Sequence, residues 1–213
     1  MENAFVPVLQ KLQKTRLLCV TSTSQIIASK TKQMGCFQMH PVDIQNSLKT
    51  MVILRDSREQ TTKRSEARYK QFGVPFRREK LDFGDYSAEC TLPDGGTFSL
   101  QNIVSVERKM DLDELAHCYC QDRPRFEREF LRAKDADAKI YLLIENASWE
   151  KAYSGLYRSK MRPESLVASI TAWLARYRCQ LIFCKEETSG KLIHDILYRE
   201  MKQALEGLPD ELS

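Results

Sequence analysis

Two short stretches, Gly84-Asp85 and Ser105-Val106-Glu107-Arg108-Lys109, decide how the chain is read. Along a β-strand successive side chains point to opposite faces, so Glu107 and Lys109 project together while Arg108 projects the other way. A carboxylate and an ammonium on one strand face suit metal-assisted phosphodiester cleavage. The carboxylate holds a divalent cation, and the ammonium orients the attacking water or neutralises developing charge. Pro93-Asp94-Gly95-Gly96 reads as a chain reversal between Asp85–Leu92 and Thr97–Lys109. A hairpin closing there pairs residues whose numbers sum to roughly 190, which places Asp85 opposite about position 105. One bulge, or a register shift of two, then brings Asp85 beside Glu107. Gly84 suits a backbone that must turn or approach a ligand closely. Taken alone, the same residues also describe a surface hairpin with scattered charges.

Hydrophobic periodicity supplies the frame around this hairpin. Met51–Asp56 reads as a buried strand, Thr61–Phe72 as a helix and Pro75–Leu81 as an edge strand. Helices are expected over Asp111–Gln121 and Pro124–Ala136, followed by a strongly apolar strand at Lys139–Asn146. Pro163–Arg178 is an amphipathic helix through Leu166, Ile170, Trp173, Leu174 and Tyr177. Gln180–Cys184 is a short strand and Ser189–Leu205 a closing helix. Strands alternating with helices imply an α/β fold whose mixed sheet is covered on both faces. In Met1–Thr50 only Val8, Leu9 and Leu12 offer one short helix face, and no repeat or low-complexity tract is present.

The order of motifs is more specific than any one of them. Asp56-Ser57-Arg58-Glu59 ends a strand, Gly84-Asp85 follows, and Glu107-Arg108-Lys109 precedes Asp113 by the spacing Glu-Arg-Lys-x-x-x-Asp. From Met51 to Glu206 the chain resembles the XPF–Hef family of structure-specific DNA nucleases, most closely their short, stand-alone bacterial and phage-like forms. The resemblance implies a restriction-endonuclease-like mixed sheet flanked by helices, and a magnesium-dependent endonuclease (manganese substituting) that leaves a 5′-phosphate. It implies Asp85, Glu107 and the main-chain carbonyl of Arg108 as metal ligands, Lys109 as the water-positioning group, and Asp56 and Asp113 in support. Asp113 equally fits the positive end of a helix, with Asp111 and Glu114 as its capping box; Arg58 could simply pair with Asp56. Only about one long helix follows Cys184, which leaves no room for the tandem helix-hairpin-helix module of cellular relatives. The organisation expected is an N-terminal extension over 1–50, a nuclease domain over 51–207 and a tail over 208–213. Two alternatives stay open: a non-catalytic DNA-binding scaffold of the same fold, and a restriction-type or junction-resolving nuclease.

Charge distribution points to a polyanionic partner more clearly than the net charge of +4 does. Arg58, Lys63, Arg64, Arg68, Lys70, Arg77, Arg78 and Lys80 outnumber the acids around them. Arg125, Arg128 and Arg132 share one helical face opposite Phe126, Phe130 and Ala133, and are read as phosphate contacts. Arg158 and Lys160, near Tyr153 and Tyr157, suit frayed or single-stranded DNA, or a connector between helices. DNA is thus the expected partner, with a homodimer as a further possibility and no small-molecule cofactor. Seven scattered cysteines without a C-x-x-C pair read as reduced thiols of a cytoplasmic protein. No run of 18 apolar residues is present, so no membrane span is expected. The three histidines, His40, His117 and His194, are too isolated to build a His-based hydrolase.

Overall fold

The run Val-Ile-Leu-Arg-Asp forms β1 (Val52–Asp56), and its β-branched and apolar residues are buried against both faces of a sheet. In this computed structural model, which describes residues 39–208, β1 pairs in parallel with β2 (Phe76–Glu79) and antiparallel with β3 (Tyr86–Thr91). β3 also pairs antiparallel with β4 (Thr97–Ser99) and β5 (Val104–Lys109). Beyond β5 the sheet continues in parallel through β6 (Lys139–Glu145) and β7 (Gln180–Cys184). The strand order is β2-β1-β3-β5-β6-β7, a mixed α/β sheet with β2 at one edge. Residues 1–38 and 209–213 lie outside the described part, and with them the short helix face of Val8, Leu9 and Leu12 and nearly all of the expected tail.

Each face of the sheet has its own helices. One is covered by α3 (Leu112–Cys120), α4 (Arg123–Asp135), α5 (Trp149–Ser154) and α6 (Pro163–Tyr177). Their core joins Phe126, Phe130 and Trp173 to Leu142 and Ile144 of β6, with Phe126 stacked on Trp173 at 5.1 Å. The other face carries α1 (Pro41–Lys49), α2 (Lys63–Tyr69) and α7 (Glu186–Glu206), which bring Tyr69, Ile193, Leu197 and Met201 over Tyr86 and Ala88. α7 approaches α2 so closely that a Cβ on Gly190 would lie 2.2 Å from the Arg68 carbonyl oxygen. α1 falls in the stretch read from sequence as an extension, and it packs against α7 and β3.

Three elements differ from the sequence expectation. The downstream hairpin strand is not continuous from Thr97 to Lys109. At Leu100 the chain turns, with the amides of Ile103 and Val104 donating to the Leu100 carbonyl, and the Leu100 side chain is fully buried. The cross-strand sum is therefore 188 at Glu89↔Ser99 but 192 at Tyr86↔Val106. α7 begins at Glu186 rather than Ser189, because Glu186 and Glu187 suit the positive end of a helix. α5 lies in a segment where no helix is expected, although Ser148 caps it and Gly155 ends it in the left-handed conformation.

Candidate active site

The turn at Leu100–Ile103 sets the register at the carboxylates. Tyr86 pairs with Val106, and the Asp85 amide donates to the Val106 carbonyl at 2.9 Å, so Asp85 lies across from Glu107. Gly84 holds this approach at φ 72°, a conformation that disfavours a side chain, and a Cβ there would sit 2.5 Å from Ser105 Oγ. The Arg108 amide donates to Asp85 Oδ2 at 2.8 Å, which ties the turn before β3 to β5. On β5, Glu107 and Lys109 share a face as alternation requires, and Lys109 Nζ donates to Glu107 Oε1 at 2.6 Å. Both side chains are buried beneath α4, with the Lys109 ammonium 5.0 Å from the Phe126 ring centroid. A pocket of about 250 Å³ opens over them, lined also by Asp56, Arg58, Arg125 and Glu129.

Negative charge exceeds positive charge in this pocket. Burial, and then the Asp85 carboxylate, raise the Glu107 pKa above the ordinary range, with Lys109 acting the other way. Burial opposes the Lys109 charge, yet Glu107 and Asp85 more than compensate and keep its ammonium protonated. Asp85 has Oδ1, and Glu107 has Oε2, outside any hydrogen bond among the described residues. Two carboxylates, one just before β3 and one on β5, fit magnesium, which keeps several waters and takes few protein oxygens. They do not fit an all-protein cage: among the described residues no group of three or more His, Cys, Asp or Glu side chains forms one.

The remaining site residues divide between the pocket and other work. Asp56 is buried at the pocket wall with both oxygens engaged. Oδ1 accepts from the Arg58 amide and Nε at 2.6 and 2.9 Å; Oδ2 accepts from Arg58 Nη2 at 2.8 Å and the Leu81 amide at 3.2 Å. Burial works against its ionisation, but these donors hold its carboxyl below the ordinary range. Arg58 is thus first a partner of Asp56, at the rim of the pocket. Asp113 does not join the pocket. Leu112, Leu115 and Ala116 turn one side of α3 to the core and leave Asp113 on its flank. There Oδ1 accepts from the Arg158 and Ser159 amides at 2.7 Å each, and Oδ2 from Arg158 Nε at 3.1 Å. Arg158 and Lys160 accordingly line a separate groove, which meets the pocket at His117. The expected capping box is also displaced. Asp111 accepts from the Glu114 amide, but Glu114 Oε2 accepts from Met110, not from Asp111.

Of the basic helix face, Arg125 lines the pocket, and Arg128 is exposed without a hydrogen bond or ion pair among the described residues. Arg132 is tethered by its Nε to the Asp82 carbonyl at 2.6 Å. Sequence reasoning missed Glu129, which sits on the same face, four residues after Arg125 and three before Arg132. That helical spacing is the signal that would have found it. Sequence reasoning also left Glu59 without a role. Its carboxylate accepts from Arg68, Tyr69 and Tyr86 in a buried network that reaches the pocket wall, where Glu59 is also a lining residue.

The ERCC4 domain family matches residues 55–196 of the chain. Among solved structures, XPF from Aeropyrum pernix is similar over 70% of this chain and 61% of its own, at 18% identity and a TM-score of 0.51. XPF from Aeropyrum pernix in complex with DNA is similar over 72% of this chain and 66% of its own, at 19% identity and a TM-score of 0.50. The chain thus spans less than two thirds of either protein, and at these identities the likeness is one of fold. The comparison with curated proteins returns no match. No helix of the described residues is long and apolar enough to cross a membrane.

Proposed function

Because the chain belongs to the ERCC4 domain family of XPF-type nuclease domains, we propose that it is a divalent-cation-dependent endodeoxyribonuclease acting on branched or structured DNA. The observation that carries this reading is Asp85 set across from Glu107, with the Lys109 ammonium bonded to Glu107 in the same pocket. Asp85 and Glu107 would hold magnesium or manganese, with the main-chain carbonyl of Arg108 beside them. The bound cation would supply charge neutralisation at the scissile phosphate. Lys109 donates to the attacking water and holds its lone pair toward phosphorus. As the new P–O bond forms and the bond to the 3′-oxygen breaks, the attacking water loses its proton to solvent and the 3′-oxygen takes one up from solvent. The same ammonium offsets charge growing on the phosphoryl oxygens. The products are a 5′-phosphate and a 3′-hydroxyl. Arg125 at the pocket wall and Arg128 beyond it hold flanking phosphates, which positions the strand without reading its sequence. Asp85, Glu107 and Lys109 kept together at one pocket favour the catalytic reading over a non-catalytic scaffold.

The test is a panel of labelled duplex, single-stranded, flap, fork and four-way-junction DNAs, incubated with magnesium, with calcium and with chelator. Cleavage is expected with magnesium or manganese alone, while calcium supports binding with little turnover because its looser coordination positions water poorly. Undiminished cleavage after exhaustive metal removal would falsify the proposal.

A further inference from the structure

Glu129 is a mostly buried carboxylate at the pocket that no motif accounts for. It projects from α4, its side chain is 14% exposed, and it lines the same pocket as Asp85 and Glu107. Its charge is poorly matched. Arg58 Nη1 stands 3.5 Å and Arg132 Nη2 3.9 Å from Oε1, while Arg58 is forked on Asp56 and Arg132 is bonded to the Asp82 carbonyl. Oε2 makes no hydrogen bond among the described residues. A mostly buried carboxylate with only long contacts is costly unless another positive charge joins it. Lys109 is occupied by Glu107, and Arg125, the basic side chain of α4 that lines the pocket, makes no ion pair with Glu129 among the described residues.

We propose that Glu129 is a positioning residue of the cation site, accepting hydrogen bonds from the water that surrounds the ion held by Asp85 and Glu107. The inference rests on the reading of the pocket given above. Contact through water, not direct ligation, follows from the lack of any three-carboxylate cage among the described residues. It also suits magnesium, which retains much of its hydration shell. Removing such an outer partner typically weakens metal binding by about 10–100-fold.

Manganese titration followed by electron paramagnetic resonance, with melting curves alongside, tests this without reference to activity. Glu129→Gln keeps the shape and removes the charge. Its half-saturating manganese concentration should rise at least about tenfold, and its metal-free melting temperature should hold or increase. Glu129→Asp, which keeps the charge with a shorter reach, should fall between Gln and the parent. Glu164→Gln, an equal charge change outside the pocket, should bind as the parent does. Unchanged manganese affinity in Glu129→Gln, with a lower metal-free melting temperature, would reduce Glu129 to an ion-pair partner of Arg58 and overturn the inference. If Asp85→Asn binds manganese as the parent does, the cation site itself is misplaced and the inference falls with it.

Discussion

Two polar clusters lie mainly on opposite faces of the same strands and meet at the pocket, which Glu59 and Arg108 also line, yet they are built from the same residue types to opposite ends. On the face beneath α2 and α7, Arg68 donates to Glu59 Oε1 and Tyr86 Oη at 2.9 Å and to Glu145 Oε1 at 3.1 Å. Tyr69 completes the shell of Glu59 and is itself reached by Arg55 at 2.9 Å. Arg108 Nη1 stands 3.7 Å from Glu145 Oε2. Two carboxylates there meet two guanidinium groups, with a third, Arg55, joined through Tyr69. On the face beneath α4, Asp85, Glu107 and Glu129 have one bonded lysine among them, since the fork of Arg58 is taken by Asp56 and Arg125 makes no ion pair among the described residues. Matched charge makes a strut, and unmatched charge leaves work for a cation and a phosphate to do. Arg108 belongs to both: its amide fixes Asp85, and its side chain leans toward the strut.

The comparison breaks most visibly at Arg68. Arg68→Ala strands Glu59 and Glu145 in the interior, and losing one partner of a buried pair costs about 3–5 kcal/mol. Chemical denaturation should show that loss, and any loss of cleavage should track the unfolded fraction. A variant of unaltered stability would show that the network is not structural.

Asp56 lies between the two regimes, buried yet paired with an exposed arginine. Asp56→Asn should cost about 1–2 kcal/mol at neutral pH, discounted for the solvent around Arg58. The folded-state pKa of Asp56 is below its ordinary value of 3.8. The stabilisation is therefore complete above that value and is lost as pH falls through the lower, folded-state pKa. The stability gap between the parent and Asp56→Asn should thus narrow below about pH 4. A gap that is constant or widening with acid would show that the Arg58 pair does not depend on ionised Asp56.

The smallest effect concerns the rim. Charge reversal at Arg125 and Arg128 should weaken DNA binding while leaving the melting temperature unchanged. Each lost phosphate contact should flatten the log–log salt slope by about 0.7–0.9. An unaltered slope in both variants would remove this helix face from the DNA interface.

What was legible in the sequence was what strand alternation and hydrophobic period carry. Glu107 and Lys109 had to share a face, and Met51–Asp56, Lys139–Asn146 and Gln180–Cys184 had to be inner strands or their neighbours. The hairpin arithmetic came within two residues at Asp85. The remainder came from the turn at Leu100, where one buried leucine inserts into the core and resets the register, an effect of tertiary packing and not of turn chemistry. Asp113 was misplaced for a related reason. Its spacing from Lys109 says only that it begins a helix, whereas the loop at Arg158 and Ser159 decides what its carboxylate meets. Glu129 was hidden among arginines, where an acid at helical spacing reads as a solvated partner until the helix is seated on the sheet.

The division of labour between the carboxylates and the lysine is tested most directly by metal rescue. Cleavage by Asp85→Ala, Glu107→Ala and Lys109→Ala should be measured across a manganese titration, with melting curves confirming the fold. Each variant should lose most activity, on the order of 10²–10³-fold for the single electrostatic stabiliser Lys109. Excess manganese should restore part of the rate to Asp85→Ala and Glu107→Ala, which lose cation affinity, and none to Lys109→Ala. Near-parental turnover by a well-folded Lys109→Ala would contradict the account, because the ammonium bonded to Glu107 would then be dispensable.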